Sequence, residues 1–304
     1  MCNPVIAWIG AAARRRGAFL VLAAGVSLFA GCAAPEEDVG AAAEAAMNPN
    51  AMNPNAMNPN ALSPSALRPS ALAASALDPG ALAPDARAAL VDPGPDGDLS
   101  RELLRYAVSC ALGPDQSFTL SWTDAAGAGH VDAYPGLLGL APSWSAQALD
   151  ATGRRWVSAC LASRVNAEGA SVMLSSRGAH AALATTSAER AAYPIREAVF
   201  FGDVFTESPR VYACHDPLSI LPAQMAQRVC AQPELLRLTI GDLSLGYDCG
   251  SIEVLGPCTR LLGLITVGFC SGEAAVDRYL YGCAPPGSAA LPSITTFLQG
   301  PIPW

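Results

Sequence analysis

The 304-residue chain contains no lysine; all 18 of its basic residues are arginine, set against 26 acidic ones. Without lysine there is no phosphate-loop lysine, no Schiff base and no lysine general base. A net charge of −8 argues against nucleic acid as a partner, because neutralising phosphates takes a basic patch. Histidine is scarce, at His130, His180 and His215 only. Nowhere does an apolar run reach the roughly 20 residues that a membrane-crossing helix needs. Also missing are a Gly-x-Ser-x-Gly elbow, a His-Glu-x-x-His helix, a Gly-x-Gly-x-x-Gly fingerprint and any Cys-x-x-Cys pair.

What the chain does have begins with a leader. Arg14-Arg15-Arg16 precede an apolar stretch over 17–30, the size of a signal h-region, about 7–15 residues after a basic segment. The stretch closes on Leu28-Phe29-Ala30-Gly31-Cys32, which resembles the lipobox of a bacterial lipoprotein signal. This predicts removal of residues 1–31 and acylation of Cys32. The membrane is then a partner through that lipid, and the protein sits in the cell envelope or at the cell surface, outside the cytoplasm. An ordinary cleaved signal with Cys32 unmodified is the alternative.

Export decides how the other cysteines read. Apart from Cys2 and Cys32, eight remain: Cys110, Cys160, Cys214, Cys230, Cys249, Cys258, Cys270 and Cys283. An even number in an oxidising compartment predicts four disulfides, and no pair has the close spacing of structural zinc ligands. No metal and no cofactor is expected. Two predicted helices near the front carry one cysteine each, which makes Cys110–Cys160 the first expected pair.

From residue 46 to 85 the chain repeats every five residues: AMNPN three times, then ALSPS, ALRPS, ALAAS, ALDPG and ALAPD. Proline so placed bars a continuous α-helix, and Asn-Pro-Asn suits a turn with proline at its second position. The expectation is a disordered spacer over 32–97, with about 45 Å of root-mean-square span for the 65 flexible residues 33–97. The alternative is a docking ladder made by Met47, Met52, Met57, Leu62 and Leu67. After Asp92-Pro93-Gly94-Pro95 the composition shifts, and residues 98–304 are expected to form one disulfide-bonded α+β domain.

Within it, Asp98 or Ser100 is placed to cap a helix through Leu103, Leu104, Ala107, Val108 and Cys110, stopped at Gly113-Pro114. Alternation predicts a strand over 117–123 and a return strand over 130–134. A second helix runs from Thr152 through Trp156 and Cys160 to Val165, followed by a strand over 171–175. Thr186-Ser187-Ala188-Glu189 has the form of a capping box, opening a helix kinked by Pro194 before Phe200, Phe201 and Phe205. Short strands are expected over 235–240, 252–255 and 261–267.

Residues 156–166 (WVSACLASRVN), followed by Gly169 and Ser176-Arg177-Gly178, resemble a block of uncharacterised secreted lipoproteins of myxobacterial type. The similar part covers about 100–215. The resemblance supports the expected address and implies no activity.

Catalytic residues are not identified. Cys214-His215-Asp216 is a tempting run, but strand neighbours point to opposite faces and Cys214 belongs to the expected disulfides. His130 and Asp132, two apart on a strand, share a face and offer two metal ligands, one short of a site. Arg164, Asn166, Ser176 and Arg177 are candidates for a polar pocket, with helix-end caps and surface ion pairs as the simpler reading. Trp122, Trp144 and Trp156 suggest either a carbohydrate platform or core packing. The reading that follows is a lipid-anchored binding or structural module for a protein or glycan ligand. The alternative is a tethered hydrolase using carboxylates or a Ser/His pair.

Overall fold

The computed structural model describes residues 57, 59–62, 67–166, 172–216, 247–249, 251–259 and 268–300. The leader, Cys32, Met47, Met52, Cys230 and the strands expected over 235–240 and 261–267 lie outside the described residues, as does the side chain of Cys249. Among the described residues no helix is long and apolar enough to cross a membrane. The architecture is mixed α and β, as the sequence patterns require.

A six-stranded sheet organises the fold. Its strands are β3 (Leu174–Arg177), β4 (Ile195–Asp203), β5 (Arg210–His215), β6 (Tyr247–Cys249), β7 (Ile252–Pro257) and β10 (Ser293–Leu298). They lie in the order β3-β10-β4-β5-β7-β6, antiparallel except for the parallel pair β5 and β7. One face, through Ala198, Phe200, Val211, Ala213, Ile252, Val254 and Ile294, joins a core shared with helix α4 (Ala151–Arg164). The other face carries Val199 and Phe201 against Cys214, Cys258, Leu280 and Cys283. Covered on both sides, β4 is buried from Arg196 to Gly202, and its middle, Ala198 to Phe201, is an apolar run without alternation.

That coverage explains a correction. The helix opened by Thr186 spans only Ser187–Ala192 (α5), with Thr186 Oγ1 accepting from the Glu189 amide; Phe200 and Phe201 belong to a strand. Proline disfavours helical backbone in the residue before it, so Pro194 ends the helix without kinking it. At the far end of β4, Gly202 has φ +140°, and a β-carbon there would stand 2.4 Å from the Arg210 carbonyl oxygen.

In front of α4 lies α3 (Pro95–Ala111), with Pro95 in its first turn and Asp96 and Asp98 near its positive end. Its buried face includes Leu103, Leu104, Ala107, Val108 and Cys110. Cys110 pairs with Cys160 of α4, as expected. A hairpin of β1 (Ser117–Thr123) and β2 (Gly129–Pro135) folds back on α3, with Phe118, Leu120 and Tyr134 inward. Two further disulfides, Cys214–Cys258 and Cys270–Cys283, close the opposite face, where β8 (Gly272–Glu273) and β9 (Leu280–Tyr281) form a small ribbon.

The spacer expectation fails from Met57 onward. Met57, Leu62, Leu67, Leu72, Leu77 and Leu82, the second residue of six successive units, are all buried in the main core. Proline is the reason the period works. Pro59 opens a 3-10 turn, Pro69 opens helix α1 (Pro69–Ala73), Pro79 sits in a turn closed by Ala81 N–H to Asp78 C=O, and Pro84 opens α2 (Pro84–Val91). Proline is excluded from helix interiors but welcome in the first turn, so the chain turns at Pro59, Pro69, Pro79 and Pro84, and the Met and Leu positions return to one core. The backbone is fastened as well. Leu77 N–H donates to Trp144 C=O (2.7 Å), Leu149 N–H to Ala73 C=O (3.1 Å) and Trp144 Nε1–H to Ser75 C=O (3.1 Å). Of the two readings of the repeat, the ladder is the one seen from Met57, and it docks on the protein's own domain, which therefore starts well before residue 98.

Burying one Leu or Met contributes roughly 1.5–3 kcal/mol, so six such anchors are comparable with the whole stability of a domain, about 5–15 kcal/mol. Leu72→Ala is expected to destabilise the domain by about 2–5 kcal/mol in urea unfolding with disulfides intact. Ala81→Ser, at an exposed position of the same repeat, is expected to stay within about 0.5 kcal/mol of the parent.

Candidate functional site

Polar and charged side chains gather in two places, and Arg101 is the centre of the first. It projects from α3 and is almost fully buried. Its guanidinium donates to the carbonyls of Leu90 (2.9 Å) and Asp92 (2.8 Å), the last turn of α2, and pairs with Asp98 at 2.5 Å. The approach is close: a β-carbon on Gly97 would fall 1.9 Å from the Asp92 carbonyl oxygen, so only glycine fits. The same guanidinium lies 3.5 Å over the Trp122 ring of β1, while His130 of β2 stacks on that ring at 4.5 Å. Two groups that close to the ring centre overlap if they share a face, so the indole is sandwiched.

The rest of the hairpin's polar set is self-contained. Trp122 Nε1–H and Tyr134 OH both donate to Asp132 Oδ2, at 2.7 and 3.2 Å. Burial, reinforced by that carboxylate, pushes the Tyr134 phenol up to about 12. His130 Nε2 lies 2.8 Å from Asp124 Oδ2, and Asp124 also accepts from the amides of Ala126 and Ala128, so its carboxyl is held below the usual value, with the His130 bond the largest cause. His130 and Asp132 thus face different partners and do not form a metal site. With both faces covered, Trp122 offers no sugar platform. Trp144 is fully buried edge-on to Phe205, and Trp156 is buried against the edge of His180.

The second gathering lies at the β3 edge of the large sheet and continues along its β4 side. Arg177 of β3 is buried, with Nε donating to Ser175 Oγ (2.9 Å), Nη2 to the Tyr193 carbonyl (2.7 Å) and Nη1 to the Asp277 carbonyl (3.1 Å). Its guanidinium also covers the Phe297 ring at 3.7 Å, and burial pushes its pKa down to about 10. Ser175 Oγ in turn donates to Glu189 of α5 at 2.7 Å. Glu189 is fully buried, which raises its pKa; Ser175, Arg177 and the Thr186 amide oppose that rise. Asp277 bridges outward to Thr185 and Arg190. On β4, Arg196 pairs with Asp216 and with Glu273 (2.9 Å) and donates to the Arg278 carbonyl (3.0 Å). Glu197 beside it accepts from Thr296 Oγ1 at 2.9 Å. These bonds tie the ribbon and the 273–278 loop to the sheet.

Arg164, Asn166, Ser176 and Arg177 are therefore buried, not surface groups, but they do not make one pocket. Ser176 and Arg177 are neighbours on a strand and leave it on opposite faces. Glu189 is visible in the sequence only as a helix-capping residue, and nothing there marks Arg101, Arg196 or Asp277. Cys214-His215-Asp216 is dismantled: Cys214 is in a disulfide, His215 Nδ1 lies 3.2 Å from the Asp216 carbonyl oxygen, and Asp216 pairs with Arg196. His180 Nδ1 accepts from the Ala182 amide, and burial lowers its pKa. Among the described residues, His130 with Asp124 is the one His–carboxylate pair, and no hydroxyl is bonded to that imidazole.

The sulfur atoms of Cys214, Cys258 and Cys270 lie within 4.8 Å of one another, and each is committed to a disulfide. No protein-family model matches the chain, and neither a curated protein nor a solved structure was found to be similar to it.

Glu189 makes a pH prediction. Its folded pKa is raised above the ordinary value of 4.5, so its stabilising contribution is complete below pH 4.5 and is lost as pH rises through the folded value. Glu189→Gln removes that titration. Stability measured by urea unfolding from pH 4 to 7.5 is expected to fall less steeply with rising pH in the variant than in the parent, the difference favouring glutamine at neutral pH.

Proposed function

We propose that this protein is a lipid-anchored component of the bacterial cell envelope, with an exported domain that serves as a binding or structural module toward a protein or glycan of that compartment. The observation that carries the reading is the set of three disulfides, Cys110–Cys160, Cys214–Cys258 and Cys270–Cys283, downstream of a leader that ends in Leu28-Phe29-Ala30-Gly31-Cys32. Disulfides form and persist in oxidising compartments, and the lipobox-like run supplies the anchor.

The role of the charged groups favours binding or scaffolding over hydrolysis. Arg177, Glu189, Arg196, Asp216 and Asp277 are engaged with one another and with backbone carbonyls, in contacts that hold loops on the sheet. The anchor is also short. Between Cys32 and Met57 there are 24 residues.

The test is Cys32→Ser in the full-length protein expressed in a Gram-negative host, followed by labelled fatty acid incorporation and membrane fractionation. The expected result is loss of label and release from the membrane fraction or stalling before processing. Unchanged labelling and unchanged membrane partition in the variant would contradict the reading.

A further inference from the structure

The slot that holds Met57 is made of backbone and shape. Met57 N–H donates to the Arg164 carbonyl (3.0 Å) and Asn166 N–H donates to the Met57 carbonyl (2.8 Å), a parallel bridge alongside Val165 at the end of α4. The Met57 side chain is fully buried in the main core. One unit later, Ser251 Oγ donates to the Leu62 carbonyl at 2.9 Å. These contacts read a main chain and one unbranched apolar side chain, and nothing in them is unique to position 57.

The sequence presents the same ligand three times. Ala-Met-Asn-Pro-Asn occupies 46–50, 51–55 and 56–60 without a single difference, and the structure shows Met57 of the third copy in the slot. We propose that the slot beside Arg164, Val165 and Asn166 at the end of α4 is a recognition site for the methionine of the Ala-Met-Asn-Pro-Asn unit and its backbone, which any of the three tandem copies can occupy in cis. Each copy offers the same methionine between the same neighbours in sequence, so the registers share the contacts made at Met57 and differ in the chain between the slot and Leu62. With Met52 in place, that connection grows from four residues to nine. Loop-closure entropy rises slowly with length, roughly a threefold population change per doubling, so the next register is a minor but populated state. Each step of five residues takes one unit of chain out of the segment between Cys32 and the slot. The anchor length is thereby adjustable in units of the repeat.

The experiment is mapping of methionine oxidation by dilute peroxide in the otherwise intact chain, because a sulfur held in the core reacts more slowly than one in solvent. In Met57→Ala, Met52 is expected to oxidise several-fold more slowly than it does in the parent, while the Asn166 amide keeps its hydrogen-exchange protection to within about threefold. In Met47→Ala/Met52→Ala/Met57→Ala the Asn166 protection is expected to fall by roughly thirtyfold or more, since no large side chain remains to fill the slot. An unchanged Met52 oxidation rate in the single variant overturns the proposal. So does loss of Asn166 protection in the single variant as complete as in the triple. The single variant retains the anchors from Leu62 onward, and the Phe200 amide in the sheet reports whether it is folded.

Discussion

Among the described residues, the side of α3 and α4 that faces away from the six-stranded sheet has no large sheet against it. The hairpin of β1 and β2 covers part of it, and the remainder is closed by side chains that arrive every fifth residue from the N-terminal repeat. Such a surface left open to water loses roughly 25 cal/mol for each square ångström of apolar area, which a domain of ordinary marginal stability does not tolerate. The disulfide between Cys110 and Cys160 joins the two helices on which the repeat lies. The repeat's burial depends on that platform, and the platform's solubility depends on the repeat.

Proline makes this possible. A five-residue period suits neither an α-helix nor a strand, whose side chains recur at 3.6 and 2 residues. A turn or helix start at Pro69, Pro79 and Pro84 resets the chain direction, so that Leu67, Leu72, Leu77 and Leu82 enter one core from a segment with little regular structure. The charged clusters work differently, by fixing parts that apolar packing does not. Arg101 holds the end of α2 and the hairpin together, while Arg177, Arg196 and Asp277 hold the 273–278 loop to the sheet. Arg196 with Asp216 is buried on both sides; such a pair adds little net stability against well-packed apolar residues, but breaking it leaves an uncompensated charge and costs about 3–5 kcal/mol. Geometry is what the clusters specify.

Local periodicity made much of this fold readable. The strand over 117–123 occurs with those bounds, its partner is one residue longer at each end than expected, and α4 begins within a residue of Thr152. The Cys110–Cys160 pair followed from two helices with one cysteine each. Periodicity misled where both faces of a strand are covered, since β4 from Ile195 to Asp203 shows no alternation to separate it from a buried helix. It misled again in the repeat, where a proline-rich composition suggested a spacer although the regular Met and Leu positions were themselves the signal of burial. The cluster around Arg177 was illegible because its members come from separate elements, Ser175 and Arg177 from β3, Glu189 from α5 and Asp277 from a loop 100 residues beyond Arg177.

Native-state hydrogen exchange across residues 67–97, read at single amides, tests the integration of the repeat most directly. The Leu77 amide, bonded to the Trp144 carbonyl, and the amides of α2 should exchange as slowly as those of α3 and α4, through the same cooperative unfolding. Exchange of this segment at the rate of an unstructured peptide, with α3 and α4 still protected, would contradict a core closed by the repeat.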